Sequence, residues 1–124
     1  MQPDERDVSY LWDMLEGART VRDFTTGVGF QQFIDDRKLQ MAIERAVEIV
    51  GEAARRVSDV FRETHPEIPW RGIIAQRNVL VHEYGEIKQE RMWIVASKRI
   101  PELIMLLEQL SLPAPPPDPE PEVM

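Results

Sequence analysis

Leu39-Gln40-Met41-Ala42-Ile43-Glu44-Arg45-Ala46-Val47-Glu48-Ile49-Val50-Gly51-Glu52-Ala53-Ala54-Arg55-Arg56-Val57-Ser58-Asp59-Val60 decides the fold. Leu39, Ile43, Ala46, Val50, Ala53, Val57 and Val60 recur at alternating steps of four and three. That is the period of an α-helix with one continuous buried seam. Val47, Ala54 and Phe61 form a second row beside it, which predicts a helix at the centre of a bundle. The helix is expected to run unbroken from Asp36, a capping residue type, to Thr64. His65-Pro66 closes it, because the residue before proline is pushed out of the α region. Gly51, Ala53 and Ala54 are small enough to let another backbone approach. Glu52 and Arg56 are spaced for an ion pair one turn apart.

Working outward, Val8, Leu11, Leu15 and Ala18 mark a first helix from about Asp4 to Arg22, widened by Trp12 and Met14. Thr25, Thr26, Gly27 and Gly29 end it, and Phe30 and Phe33 are expected to pin the connector to the core. After Pro66-Glu67-Ile68-Pro69, a third helix is predicted from Trp70 to Tyr84, with Gly85 as the residue that stops it. A fourth is predicted from Gln89 to Leu110, kinked or split at Pro101. No stretch shows sustained two-residue alternation, so the expected class is all-α, an antiparallel four-helix bundle. Residues 1–112 form the helical domain, and 113–124 are expected to be a disordered, acidic, proline-rich tail.

The 124 residues suit one domain, 43% of them apolar and 30% charged. The chain lacks cysteine, which excludes disulfides, thiolate zinc sites and a thiol nucleophile. It shows neither a secretory leader nor an apolar run near the ~20 residues that span a bilayer, so a cytoplasmic location is expected. The net charge of −7 is unsuited to general binding of polyanions, so any nucleic-acid site has to be a local basic pocket. Metal-ligand spacings are absent: Asp35-Asp36 is read as a helix start, and Gly27-x-Gly29 as a turn. No cofactor is expected.

The chemistry-bearing residues gather in Arg77-Asn78-Val79-Leu80-Val81-His82-Glu83-Tyr84. The other histidine, His65, stands at a helix end and is read as a loop or capping residue. On an ideal helix Asn78 and His82 lie ~40° apart, with Arg71 on the same side, whereas Arg77 is ~140° from His82 and close to Tyr84. Periodicity alone leaves His82 as a solvated or hydrogen-bonded residue on a polar face.

Arg77-x4-His82-x-Tyr84, with Asn78 beside the arginine, resembles the motif of the HEPN-domain, HepT-like ribonuclease toxins. Gly29-Phe30-x2-Phe33-x2-Asp36, Ile49-Val50-Gly51-Glu52-Ala53-Ala54 and Pro66-Glu67-Ile68-Pro69-Trp70 are similar to further segments of that family, in the same order. The resemblance covers about Val8 to Leu110. It implies a metal-independent endoribonuclease that acts as a homodimer, with RNA cleaved by attack of its own 2′-OH. His82 would serve as acid or base and Arg77 would hold the phosphate, with Asn78 and Tyr84 in support. Arg71, Arg91, Lys98 and Arg99 are the candidate RNA contacts. The resemblance also implies a type VII-like toxin–antitoxin system, in which an MNT-type nucleotidyltransferase antitoxin silences the toxin by attaching AMP to Tyr84. The helical phase equally allows Tyr84 to pack beside Ile73 and Leu80. The alternative function is a non-catalytic binding partner or substrate-binding subunit of a nucleotidyltransferase.

Overall fold

The computed structural model describes residues 4–83 and 87–117, and every described regular element is helical. The elements are α1 (Glu5–Thr25), α2 (Phe30–Ile34), α3 (Arg37–Arg56), α4 (Asp59–Thr64), α5 (Trp70–His82), α6 (Gln89–Ile94) and α7 (Ile100–Glu108). A π-helical turn, Val95–Arg99, joins α6 to α7. The central helix is the expected one: α3 packs against both α1 and α5, and α1 packs against α7. Its seam is buried at Ile43, Ala46, Val50 and Ala53, facing Leu11, Met14, Leu15 and Ala18 of α1.

The long second helix is not continuous. It stops at Arg56, Val57 turns extended, and Ser58 caps a separate α4 by accepting from the Phe61 N–H. The cause lies fifty residues away in the chain. Asp7, only 4% exposed, accepts from the Ser58 N–H at 2.8 Å and from the Ser58 hydroxyl at 2.6 Å. A carboxylate that offers two charge-assisted hydrogen bonds outweighs one more turn of helix. The break also changes which residues are buried: Val60, the last position of the predicted seam, is 55% exposed, while Phe61 is buried. His65 sits at the end of α4, where it stacks on Phe61 and pairs with Glu67 at 3.0 Å, in keeping with a capping role.

Other boundaries move for local reasons. α1 extends to Thr25, three residues beyond its expected end, with Thr25 and Thr26 hydroxyls bonded back to Arg22 and Val21 carbonyls. The connector contains the short α2, whose Phe33 is fully buried against Trp93 at a ring separation of 5.2 Å. Phe30, half exposed, packs on the same Trp93. α5 ends at His82, with Glu83 as its cap, two residues before its predicted end. Tyr84 and Gly85 lie outside the described residues.

The irregularity assigned to Pro101 lies upstream of it. Within Val95–Arg99 the turn widens, and the Ile100 N–H bonds to the Val95 carbonyl, five residues back. A proline in a regular helix clashes with the carbonyl four residues before it, here that of Ser97, and a wider turn relieves this. The Ser97 hydroxyl donates to the Trp93 carbonyl at 2.6 Å. Residues 111–117 carry no regular structure, yet the Pro113 carbonyl accepts from the Trp12 indole at 2.7 Å, and Leu110 and Leu112 pack against the core. The segment is therefore attached to α1 where it begins. The rest of the predicted tail, from residue 118, lies outside the described residues.

Asp7→Ala removes both bonds to Ser58 and leaves a partly buried N–H without its acceptor. It is expected to destabilise the fold by roughly 1–3 kcal/mol. A lower urea midpoint with an unchanged slope checks this; an unchanged midpoint contradicts the role given to Asp7.

Candidate active site

α5 carries the motif, and its position is fixed by contact with α3. At the crossing, a methyl group added to Gly51 would stand 2.2 Å from Arg77 Cβ and 3.1 Å from the Ile73 carbonyl oxygen. The small-residue patch of α3 therefore serves the close approach expected of it, and the residue it admits is Arg77.

With its stem laid across Gly51, Arg77 meets the next residue of α3. Its Nη2 lies 2.9 Å from Glu52 Oε2, and its Nη1 donates to Asn78 Oδ1 at 3.0 Å. Glu52 Oε1 accepts from Arg55 Nη2 at 3.0 Å and from Arg56 Nε at 3.1 Å, the latter being the expected pair one turn apart. One carboxylate thus faces three guanidinium groups. Hydrogen bonding from Arg55 is the largest cause that holds its pKa down, to about 2, with Arg56 and Arg77 adding to it against some desolvation. Glu52 is ionised at any physiological pH. Tyr10 of α1 shares Arg56 with Glu52, and the Arg56 pKa is raised by these two neighbours, Glu52 foremost.

Arg77, Glu52, Arg56, Tyr10 and Arg45 line one cleft of about 320 Å³ at the junction of α1, α3 and α5. Asp13 and Glu48 also line it, so both signs of charge are present. His82 does not. It is the last residue of α5 and exposed, with no hydrogen-bond or ionic partner among the described residues. Asn78 is exposed, and its side chain bonds to Arg77 alone among the described residues. Within one chain Arg77 bonds to Asn78, and His82 does not line the cleft that holds Arg77.

The four further cations are spread out. Arg71 borders a hollow with Asp59, Arg62 and Trp70. Arg99 pairs with Glu102 at 3.5 Å and borders an apolar cavity of about 420 Å³ between α3, α5 and α7. Arg91 and Lys98 are exposed on α6 and the π-turn. None of the four lines the cleft that holds Arg77. The arginines that do, Arg45 and Arg56, escaped sequence reasoning, as did Tyr10 and the Glu52–Arg77 pair. The only available signal was the Glu52–Arg56 spacing, because a contact between helices has no sequence period. Among the described residues, no three histidines, cysteines or carboxylates stand close enough together to hold a metal ion.

Gly51→Ala is expected to lower stability by about 1–3 kcal/mol through overpacking against Arg77. The direction is diagnostic, since the same change in an open helix stabilises by up to ~1 kcal/mol. A raised melting temperature would contradict the close approach.

Comparison with known proteins bears on this motif. The family model for HepT-like ribonucleases matches residues 14–110, a span that includes both the α3 crossing and the α5 motif. A protein of Methanocaldococcus jannaschii, provisionally named as an RNase, is 36% identical over 80% of this chain and 92% of its own length. A second protein of that organism, named in the same way, is 33% identical over 86% of this chain and 88% of its own. A Thermococcus cleftensis protein named as a probable ribonuclease HepT is 37% identical over 82% and 92%. No solved structure matches the chain significantly. With more than half its length inside the family model and relatives above 30% identity along nearly their whole length, this chain belongs to the HepT-like ribonuclease family.

Proposed function

We infer that the protein is an endoribonuclease that cleaves RNA without a metal ion, using Arg77 and His82. The observation that carries this is the family membership of the segment holding both residues, together with the state of each. Arg77 has partners on α3 and α5, and His82 is exposed at a helix end, without a partner among the described residues. An imidazole in water exchanges protons near neutral pH. It takes the proton from a ribose 2′-OH as that oxygen attacks the adjacent phosphorus. The bond from phosphorus to the 5′-oxygen then breaks, and that oxygen takes up a proton. A cyclic phosphate is left on one fragment and a hydroxyl on the other. A guanidinium beside the phosphate stabilises the charge that grows on its oxygens.

His82 does not line the cleft that holds Arg77, which fits a homodimer in which a second copy brings its histidine to the arginine of the first. Ile49 of α3 and Val79 and Val81 of α5 are large apolar side chains left exposed on the motif helix and on the helix packed against it, and they favour such an association. In the same reading the protein is the toxin of a type VII-like system, and an MNT-type nucleotidyltransferase is its antitoxin. AMP on Tyr84, two residues past His82 in the sequence, would add bulk and negative charge to the motif that is to meet RNA.

Purified protein incubated with RNA in EDTA is expected to cleave it. Loss of the imidazole in His82→Ala, or of the guanidinium in Arg77→Ala, is expected to slow cleavage by about 100-fold or more. Equal cleavage by His82→Ala removes that residue from the mechanism. RNA left intact by the wild-type protein favours a non-catalytic partner of a nucleotidyltransferase. Protein co-expressed with a neighbouring nucleotidyltransferase is expected to gain the mass of AMP, and Tyr84→Phe to prevent the gain. Neutralised toxicity without added mass would show that silencing takes another route.

A further inference from the structure

We propose that Glu52 is a positioning residue for the nuclease site, holding the Arg77 guanidinium in the orientation that meets the phosphate. This rests on the assignment of Arg77 to phosphate binding. The geometry is specific. Gly51 removes the side chain that would keep Arg77 off α3, and the very next residue supplies the carboxylate that meets the guanidinium, at 2.9 Å. Asn78 holds Nη1 from the other side at 3.0 Å. Two of the three guanidinium nitrogens thereby have a partner, an ion pair to α3 and a hydrogen bond within α5, which restricts the rotation of the group. A free arginine loses considerable rotamer entropy on capturing a phosphate. A held one has already lost it.

Glu52 meets more than one guanidinium, in a cleft that Asp13 and Glu48 also line. Its other oxygen gathers Arg55 and Arg56, so three cations surround one anion. Arg45 lines the same cleft and pairs with Glu48 at 3.1 Å. In a chain of net charge −7 this is a way to keep cationic groups together at one place. An arginine whose partner is a carboxylate at the side keeps N–H edges for a second, incoming anion. The pairs with Arg55 and Arg56 lie on the surface within one helix and contribute little to stability.

Glu52→Gln keeps the volume and an acceptor oxygen but removes the charge. In single-turnover and steady-state cleavage it is expected to lower kcat by about 10- to 100-fold, the scale of a misoriented group, with KM changed by less than about threefold. In an Arg77→Ala background the same substitution is expected to have no further effect, because Glu52 acts through Arg77. Melting temperatures for all variants separate this from loss of folded protein. Nitrogen-edited NMR of the arginine side chains gives a readout independent of cleavage. Resolved Arg77 guanidinium resonances in the wild type should broaden or merge in Glu52→Gln as rotation is freed. Wild-type kcat in Glu52→Gln, an additive effect in the Arg77→Ala background, or unchanged guanidinium resonances would each overturn the proposal. Full cleavage by Arg77→Ala alone would instead remove the assignment of the site, and the spectra would still report whether Glu52 holds the arginine.

Discussion

The candidate site depends on one missing side chain. At Gly51 the surface of α3 is bare backbone, and α5 comes close enough for the stem of Arg77 to lie against it. Any β-carbon there would lift α5 and carry the guanidinium away from Glu52. Packing in the bundle and placement of the charge are thus the same contact viewed from two directions. Polar groups fix the remaining geometry at the joints. Asp7 of α1 takes both donors of Ser58, which sets where α3 stops and so how the chain turns towards α5.

Much of this was legible in sequence, for reasons that can be named. Val50, Ala53 and their neighbours on α3 read correctly because burial along one helix has a period. Gly51 read correctly as a place of close approach because a small residue inside a strong helix calls for a reason. The break after Arg56 did not read. Val57-Ser58-Asp59-Val60 keeps helical spacing through Val60, and the group that overrides it, Asp7, lies at the other end of the chain. Glu52–Arg77 failed for the same reason. Twenty-five residues separate the partners, and no local rule connects them. His82 is a different case: its helical phase sets it away from Arg77, and it does not line the cleft that holds Arg77.

The charge balance can also be seen in a simpler light. An acidic protein that handles a polyanion has to concentrate what cationic surface it has. The four exposed cations singled out by sequence, Arg71, Arg91, Lys98 and Arg99, are spread over three elements. The arginines gathered around Glu52 are packed close by, two of them on the same turn of α3. A carboxylate at the centre lets like charges crowd together without mutual repulsion forcing them apart. The same carboxylate is ionised down to a pH of about 2, so the grouping survives over the whole range in which an imidazole would change state.

The π-turn of residues 95–99 acts as a vernier on the last helical run. Met92, Ala96 and Ile100 are all buried, at steps of four and four. On a regular helix two such steps drift by ~80°, enough to swing Ile100 off the face that Met92 occupies. A turn that spends an extra residue takes up much of that drift and returns Ile100, Leu103, Ile104 and Leu107 to the core. Any register counted in threes and fours therefore slips by one on crossing this point, and the halves before and after it have to be aligned as separate scales.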